Sequence, residues 1–363
     1  MGLFDSLFGK KKEINSYESF WVWFKSNEKA FHNVVRQQGD IENAFLDKLS
    51  PKLNEIKSGY FFLVGLLGEQ TVELIITADG DVKNIVFVEE LVQAAPALEG
   101  WKFTALKPAM DIDNLGINLG GFKFTADKLS FYPNQVMGCP DEIDITVIHE
   151  DYNEENDSAI TNGVYIFLDN YLGELEFACN VDNLQVAAAA ESDTELIPIS
   201  KLKDYLNWRQ KEFIEKYEGV SYNAQNASYS MLEATLKNGN KLLAVINADV
   251  LNWDHKASHP WMLDVEISYN GEGNNGMPDK ATYQLLDEFE DQILAELQDS
   301  HGYLNIGRET ANNTRNIYFA CKEFRKPSKL LHQLQQEYAA RLNTTYRIFK
   351  DKYWQAFDRF KQN

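Results

Sequence analysis

The amino-acid sequence predicts an α+β protein of two domains, each built from antiparallel sheet with helices packed on one face. Three observations carry that expectation. Helical amphipathic stretches and strand-like apolar runs share almost the whole length of the 363-residue chain. A small, polar stretch, GVSYNAQNAS at 219–228, interrupts them as a linker would. Beyond it the elements run β-α-β-β-α-β, the order of a ferredoxin-like unit, preceded by a β-hairpin. The expected parts are a mobile amphipathic tail at 1–14, an N-terminal α+β domain at 15–218 and a C-terminal ferredoxin-like domain at 229–363.

In the N-terminal domain, Tyr17 to Arg36 and Ile41 to Ile56 read as helices. Their apolar sides carry Phe20, Trp23, Phe24, Phe31, Val34 and Val35 in the first and Phe45, Leu49, Leu53 and Ile56 in the second. Strands follow at 60–67 and 71–78, then the turn Asp79-Gly80-Asp81, a helix over 84–94 and a strand in EGWKFTALKP. Further strands are expected at 122–132, 143–149 and 174–181, with helices at 160–172 and 199–217.

The C-terminal domain opens with the hairpin MLEATL/KLLAVINADV, turned through Asn238-Gly239. Strand MLDVEISY, helix 281–298, strand GYLNIGRE, strand RNIYFACKE, helix 328–342 and strand TYRIFKD then complete the pattern. Helix 281–298 places Leu286, Phe289, Ile293 and Leu297 on one face. Asn312-Asn313 fits a tight turn between the two middle strands.

Composition narrows the function. A formal charge of −20, from 55 acidic against 35 basic residues, opposes binding to nucleic-acid backbones and favours a basic partner surface. Three scattered cysteines, Cys139, Cys179 and Cys321, form neither a disulfide framework nor a zinc spacing, so a reducing cytoplasm is expected. No run reaches the length of a membrane span or a signal-peptide core. The N-terminal MGLFDSLFGKKKE groups Leu3, Phe4, Leu7 and Phe8 before three lysines, which allows weak peripheral membrane contact through residues 2–12.

The runs HPWMLDVEISY, NGMPDKATYQLLDEFEDQI, GYLNIGRETANNTRNIYFA and DKYWQAF resemble the bacterial family catalogued as domain of unknown function 695. The resemblance covers the C-terminal part, and ELIITADGD, AAPALEGWKFTALKP and NGVYIFLDNYLGELEF are similar to the companion region that precedes it in longer bacterial proteins. It implies no activity. Some relatives are joined to a domain similar to the regulator of ribonuclease E, which implies an inhibitory or adaptor role by analogy alone.

Each motif with a chemical reading has a structural one beside it. Gly271, Gly273 and Gly276 have the G-x-G-x-x-G spacing of a dinucleotide loop, but Glu272 sits inside it and Pro278-Asp279 separates it from the helix. A structural connection with Asp279 as N-cap is therefore expected. His255 and His259 are four apart beside Asp254, yet Pro260 opposes the helix that would aim both at one metal. The segment 111–122 begins like a calcium loop and fails at Leu115 and Phe122, where oxygen ligands are needed. The six histidines show no local pairing with a serine or cysteine nucleophile. No catalytic residue, cofactor or metal site is assigned.

What remains is a surface. Arg308 and Arg315 flank the Asn-Asn turn, and Trp261, Tyr318 and Trp354 lie on or beside the same sheet. Arginine and aromatic residues commonly anchor protein interfaces, so these five are the candidate partner-binding residues. The competing expectation is that the rings form core and the arginines pair with carboxylates. The reading reached is a bacterial, cytoplasmic, non-catalytic protein-binding module of regulator, adaptor or immunity type. The alternative is a small-ligand or nucleotide-binding protein, or an enzyme, working in a cleft between the domains.

Overall fold

Ser16 starts the first helix. Its hydroxyl accepts from the Ser19 amide, and the Ser19 hydroxyl accepts from the Ser16 amide, so two otherwise orphaned donors are satisfied reciprocally. In the computed structural model, which describes residues 14–189, 194–222 and 227–360, this helix is α1 (Tyr17–Arg36). The expected amphipathic tail and its membrane contact through residues 2–12 lie outside the described residues. The chain divides into two structural units, one comprising residues up to Ala109 with Leu172–Leu175, the other Met110–Tyr171 with Glu176 onward.

In the first unit α1 is followed by α2 (Asp47–Ile56), β1 (Phe61–Leu67), β2 (Thr71–Thr77), α3 (Val82–Gln93) and β3 (Trp101–Ala105). A π-helical turn, Glu42–Leu46, precedes α2. Pro51 lies inside α2, where it has no N–H to donate to the carbonyl four residues back. The sheet order is β1-β2-β3. β1 and β2 are antiparallel, but β2 and β3 are parallel, so the purely antiparallel expectation is corrected: α3 is the crossover that parallel pairing demands. One sheet face meets α1 through Phe20, Phe24, Trp101 and Phe103, whose rings pack edge-on and tilted. Trp21, not Trp23, is the fully buried tryptophan of α1, its indole N–H donating to the Leu91 carbonyl at 2.7 Å.

Between Met110 and Tyr217 the chain holds the short pair β4 (Ile117–Leu119) and β5 (Phe122–Phe124), then β6 (Leu129–Asn134), β7 (Asp144–His149), α4 (Asp157–Leu172), α5 (Glu174–Asn180), β8 (Asn183–Ala187), β9 (Ile197–Pro198) and α6 (Leu202–Tyr217). Their four-stranded sheet has the order β8-β7-β6-β9, with β7 and β8 parallel across α4 and α5. The strand expected at 174–181 is therefore helix α5, and β8 begins later, at Asn183. Alternation in ELEFAC reads as a strand only until the buried Glu174 carboxylate is seen accepting from the amides of Ala78, Gly80 and Lys107 and from the Thr77 hydroxyl. That anchoring bends the chain away from sheet pairing.

The remaining strands are β10 (Tyr229–Thr235), β11 (Lys241–Asn247), β12 (Trp261–Ser268), β13 (Tyr303–Ala311), β14 (Thr314–Cys321) and β15 (Asn343–Lys350). Helix α7 (Ala248–Leu251) follows β11, α8 (Lys280–Glu296) follows β12 and α9 (Arg325–Tyr338) follows β14. They make one six-stranded antiparallel sheet in the order β10-β11-β13-β14-β12-β15. One face receives α8 and α9: Tyr346 donates to the Ser328 carbonyl of α9, and Arg308 and Arg315 reach Glu290 of α8. The opposite face is not left bare. Met262, Leu304, Ile306, Tyr318 and Ala320 pack there with Trp354, Phe357 and Phe360, the last two in a 3-10 turn at Gln355–Phe360. The expectation of helices on one face thus needs a second apolar layer added.

A β-bulge decides which residues meet. Between Asn305 and Gly307 the register of β13 against β14 shifts by one residue. Gly307 takes φ 138°, and a Cβ there would lie 2.2 Å from the Val245 carbonyl oxygen, so only glycine fits. Beyond the bulge the alternation is inverted, which brings Arg308 to the helix side and leaves Glu309 opposite.

Candidate interaction surface

The first unit leaves apolar surface uncovered. In β1 the side chains of Phe61, Leu63 and Leu67 share one face, and they are 52%, 49% and 49% exposed. Leu66, on the other face, is 40% exposed. β1 pairs with β2 alone among the described residues, so its outer edge also presents backbone donors and acceptors. Toward β3 the same face becomes polar: Lys102 is 2.8 Å from Glu73, which also accepts from the Thr104 hydroxyl at 2.5 Å. An apolar strip on a free edge with a charged rim has the composition of an interface.

The five sequence-derived candidates sit elsewhere. Trp261 is buried against Phe324, their ring centres 4.8 Å apart. Trp354 is buried, its indole N–H donating to the His259 carbonyl at 3.0 Å. Tyr318 is buried beside Phe357, with Arg359 donating to its hydroxyl at 3.1 Å. Burial pushes that hydroxyl's pKa further up, so it stays protonated around neutrality. Arg315 and Arg308 are brought together on the helix side of the sheet. Arg315, only 1% exposed, lies 2.7 Å from Asp287 and 3.4 Å from Glu290, with Tyr283 stacked over its guanidinium. Arg308 reaches the same Glu290 at 2.9 Å. Burial raises the Glu290 pKa, and the two guanidiniums oppose that rise.

The glycine loop is tied down from within. Gly276 and Asn274 donate their amides to the Gly271 carbonyl, the Gly271 amide donates to Asn313 Oδ1, and the Asn313 amide donates to the Gly276 carbonyl. Asp279 caps α8 by accepting from the Thr282 amide at 2.8 Å. The amides of Glu272, Asn274 and Gly276 are thus spent within the loop and that of Gly271 on the β13–β14 turn, where Asn312 and Asn313 both take positive φ. The two-histidine segment is equally structural. His259 is buried between Trp253 and Ser258, and desolvation lowers its pKa to about 3, so the ring is neutral. Among the described residues no three His, Cys, Asp or Glu side chains gather as a metal site.

On the face opposite the helices a pocket of about 550 Å³ opens beside the 3-10 turn. The buried Asp264 accepts from Arg347 Nη2 at 2.8 Å and from Asn316 at 3.0 Å, while Arg359 approaches Glu309 at 3.5 Å. These charges neutralise one another in pairs. Asp264 carries a signal that could have found it, a carboxylate inside the apolar strand MLDVEIS; Arg347, Arg359 and Glu309 carry none, because the bulge and the strand order bring them together. The uniformly apolar FFLVGLL was the corresponding signal for β1: a strand with one wet face ordinarily alternates.

Residues 234–360 match the model of a family of unknown function, DUF695. The C-terminal part of the chain carries the DUF695 region. No curated protein and no solved structure matches the chain. The DUF695 match begins near the end of β10 and runs through the 3-10 turn, so it takes in the bulge, both helices and the aromatic layer on the opposite face. The exposed β1 strip lies outside the DUF695 region. No helix among the described residues is long and apolar enough to cross a membrane.

Proposed function

We propose that the protein is a non-catalytic protein-binding module whose docking surface is the face and free edge of β1. The observation that carries this reading is the exposure of Phe61, Leu63, Leu66 and Leu67 within one seven-residue edge strand. A partner segment that adds a strand to such an edge gains affinity from main-chain hydrogen bonds and specificity from side chains meeting the apolar face. The net charge of −20 favours a partner that is basic around that segment. The same reading takes the chain as a bacterial cytoplasmic regulator, adaptor or immunity-type protein of two domains. Its three cysteines, not joined by disulfides, fit that compartment. It also takes the DUF695 region as ferredoxin-like: the order β15-β12-β14-β13, with helices after β12 and β14, supports this, the hairpin β10–β11 being an addition along β13.

Affinity purification from the native host tests the docking surface. The wild-type chain is expected to recover one stoichiometric partner, and Leu63→Lys, an exposed change that spares the core, is expected to lose it. Equal recovery by both proteins, or no stoichiometric partner with the wild type, would refute the proposal.

A further inference from the structure

A second cavity, of about 400 Å³, lies between β10, β11, β13 and the C-terminal end of α8, which is within the size range of small-molecule sites. Its floor carries Asn247, the cross-strand partner of Tyr229, and Asn305 of β13. Leu294, Leu297 and Gln298 at the end of α8 close another side. Two features set this cavity apart from an ordinary packing gap. The Asn305 amide nitrogen is buried and has no hydrogen-bond partner, although leaving such a donor unpaired is destabilising. It also sits at the start of the glycine-dependent bulge, the device by which a strand re-aims a side chain next to a site.

The lining gives the chemical class. Aromatic rings come from Tyr222, Tyr229 and Tyr303, and carboxamides from Asn247, Gln298 and Asn305. Tyr229, 52% exposed, leaves its ring open for stacking. Among the described residues no Lys, Arg or His lines the cavity, and the carbonyl end of α8 adds negative potential there. Phosphates and carboxylates are therefore repelled. Aromatic faces accept any planar base, and carboxamides pair with the alternating donors and acceptors of a base edge.

We propose that this cavity binds an unphosphorylated nucleoside, its base stacked on Tyr229 and its edge accepting from the Asn305 amide. The site is separate from the β1 docking surface and stands or falls without it.

Calorimetric titration of the full chain with adenosine, guanosine, cytidine and uridine, and with their 5′-monophosphates and glucose, tests the proposal. At least one nucleoside is expected to bind, with its monophosphate weaker by about tenfold, or about 1.4 kcal/mol. Asn305→Leu should weaken the nucleoside by a similar factor while leaving Tm unchanged or raised, because the variant removes a buried orphan donor. Tyr229→Leu, at an exposed position, should weaken it independently. Failure of all four nucleosides, equal binding of the monophosphate, binding of glucose alone, or unchanged affinity in both variants would overturn the proposal.

Discussion

The ammonium of Lys352 sits 2.7 Å from the carboxylate of Asp182, 170 positions away in the chain. Lys350 holds the other oxygen of the same carboxylate at 2.7 Å, and Lys352 also donates to the Asp141 carbonyl at 2.6 Å. All three side chains of this clamp are largely buried. Burial would push the Asp182 pKa up, but the two ammoniums outweigh it and hold the carboxyl below its usual range. Removing the acid strands two cations in a poorly hydrated place. Asp182→Ala is therefore expected to cost about 3–5 kcal/mol, measurable as a lower urea midpoint. A change below about 0.5 kcal/mol would show the clamp to be energetically neutral.

The same clamp has a pH signature. Burial first, and Lys350 second, lower the Lys352 pKa from 10.5 to about 8. Between those values the unfolded chain binds the proton that the folded chain has released, so stability contributed by this group rises with pH. The window lies below about pH 10, where ordinary tyrosines begin to oppose it. Asp182 and Asp141 face the ammonium and stay ionised throughout. Denaturation midpoints at several pH values from about 8 upward should rise in the wild type and flatten in Lys352→Met. Parallel curves would remove Lys352 as the cause.

Glu174 should matter more than its single charge suggests. Three backbone amides and one hydroxyl depend on its two oxygens. In Glu174→Gln one oxygen becomes an NH₂ group that cannot accept, so buried donors lose their partner at about 1–3 kcal/mol each. The expected result is a lower Tm, with proteolysis accelerated in residues up to 109. An unchanged digestion pattern would contradict the anchoring role.

Two glycines with positive φ should respond very differently to alanine. At Gly307 the added methyl meets the Val245 oxygen and the Ile246 backbone, and a loss of more than about 3 kcal/mol is expected. At Gly273, φ 79° with nothing within 4 Å, the backbone penalty alone applies, roughly 1–2 kcal/mol. Similar losses at the two positions would mean that the bulge tolerates repacking.

The buried arginine can be tested as a pair. Arg315→Met alone leaves Glu290 with a weaker counter-charge and should cost about 3–5 kcal/mol. Combining it with Glu290→Gln should recover part of that loss, and a double-mutant cycle with no coupling term would exclude a direct interaction.

Local chemistry in the sequence reached far into this fold and stopped at identifiable points. The 20 residues of α1, the Asp279 cap and the Asn312-Asn313 turn follow from periodicity, a side-chain acceptor and two residues that tolerate positive φ. Strand direction did not follow, because whether β3 lies parallel to β2 depends on where α3 packs. Helix α5 was hidden because ELEFAC alternates while its stability comes from Glu174 reaching far upstream. The environment of Arg308 and Arg315 was hidden by the bulge at Ile306, which a strict two-residue period cannot register. In the candidate surface, FFLVGLL announced an apolar strand but not that one of its faces would remain uncovered.

The Glu174 anchor also bears on how the chain is made. During synthesis the last strand of the first unit, β3, leaves the ribosome well before Glu174 does. Until that carboxylate arrives, the amides of Ala78, Gly80 and Lys107 lack their acceptor. The first unit therefore cannot finish folding until its distant residues 172–175 have been made, and a nascent chain stalled just after Ala109 would present an unfinished, protease-sensitive intermediate.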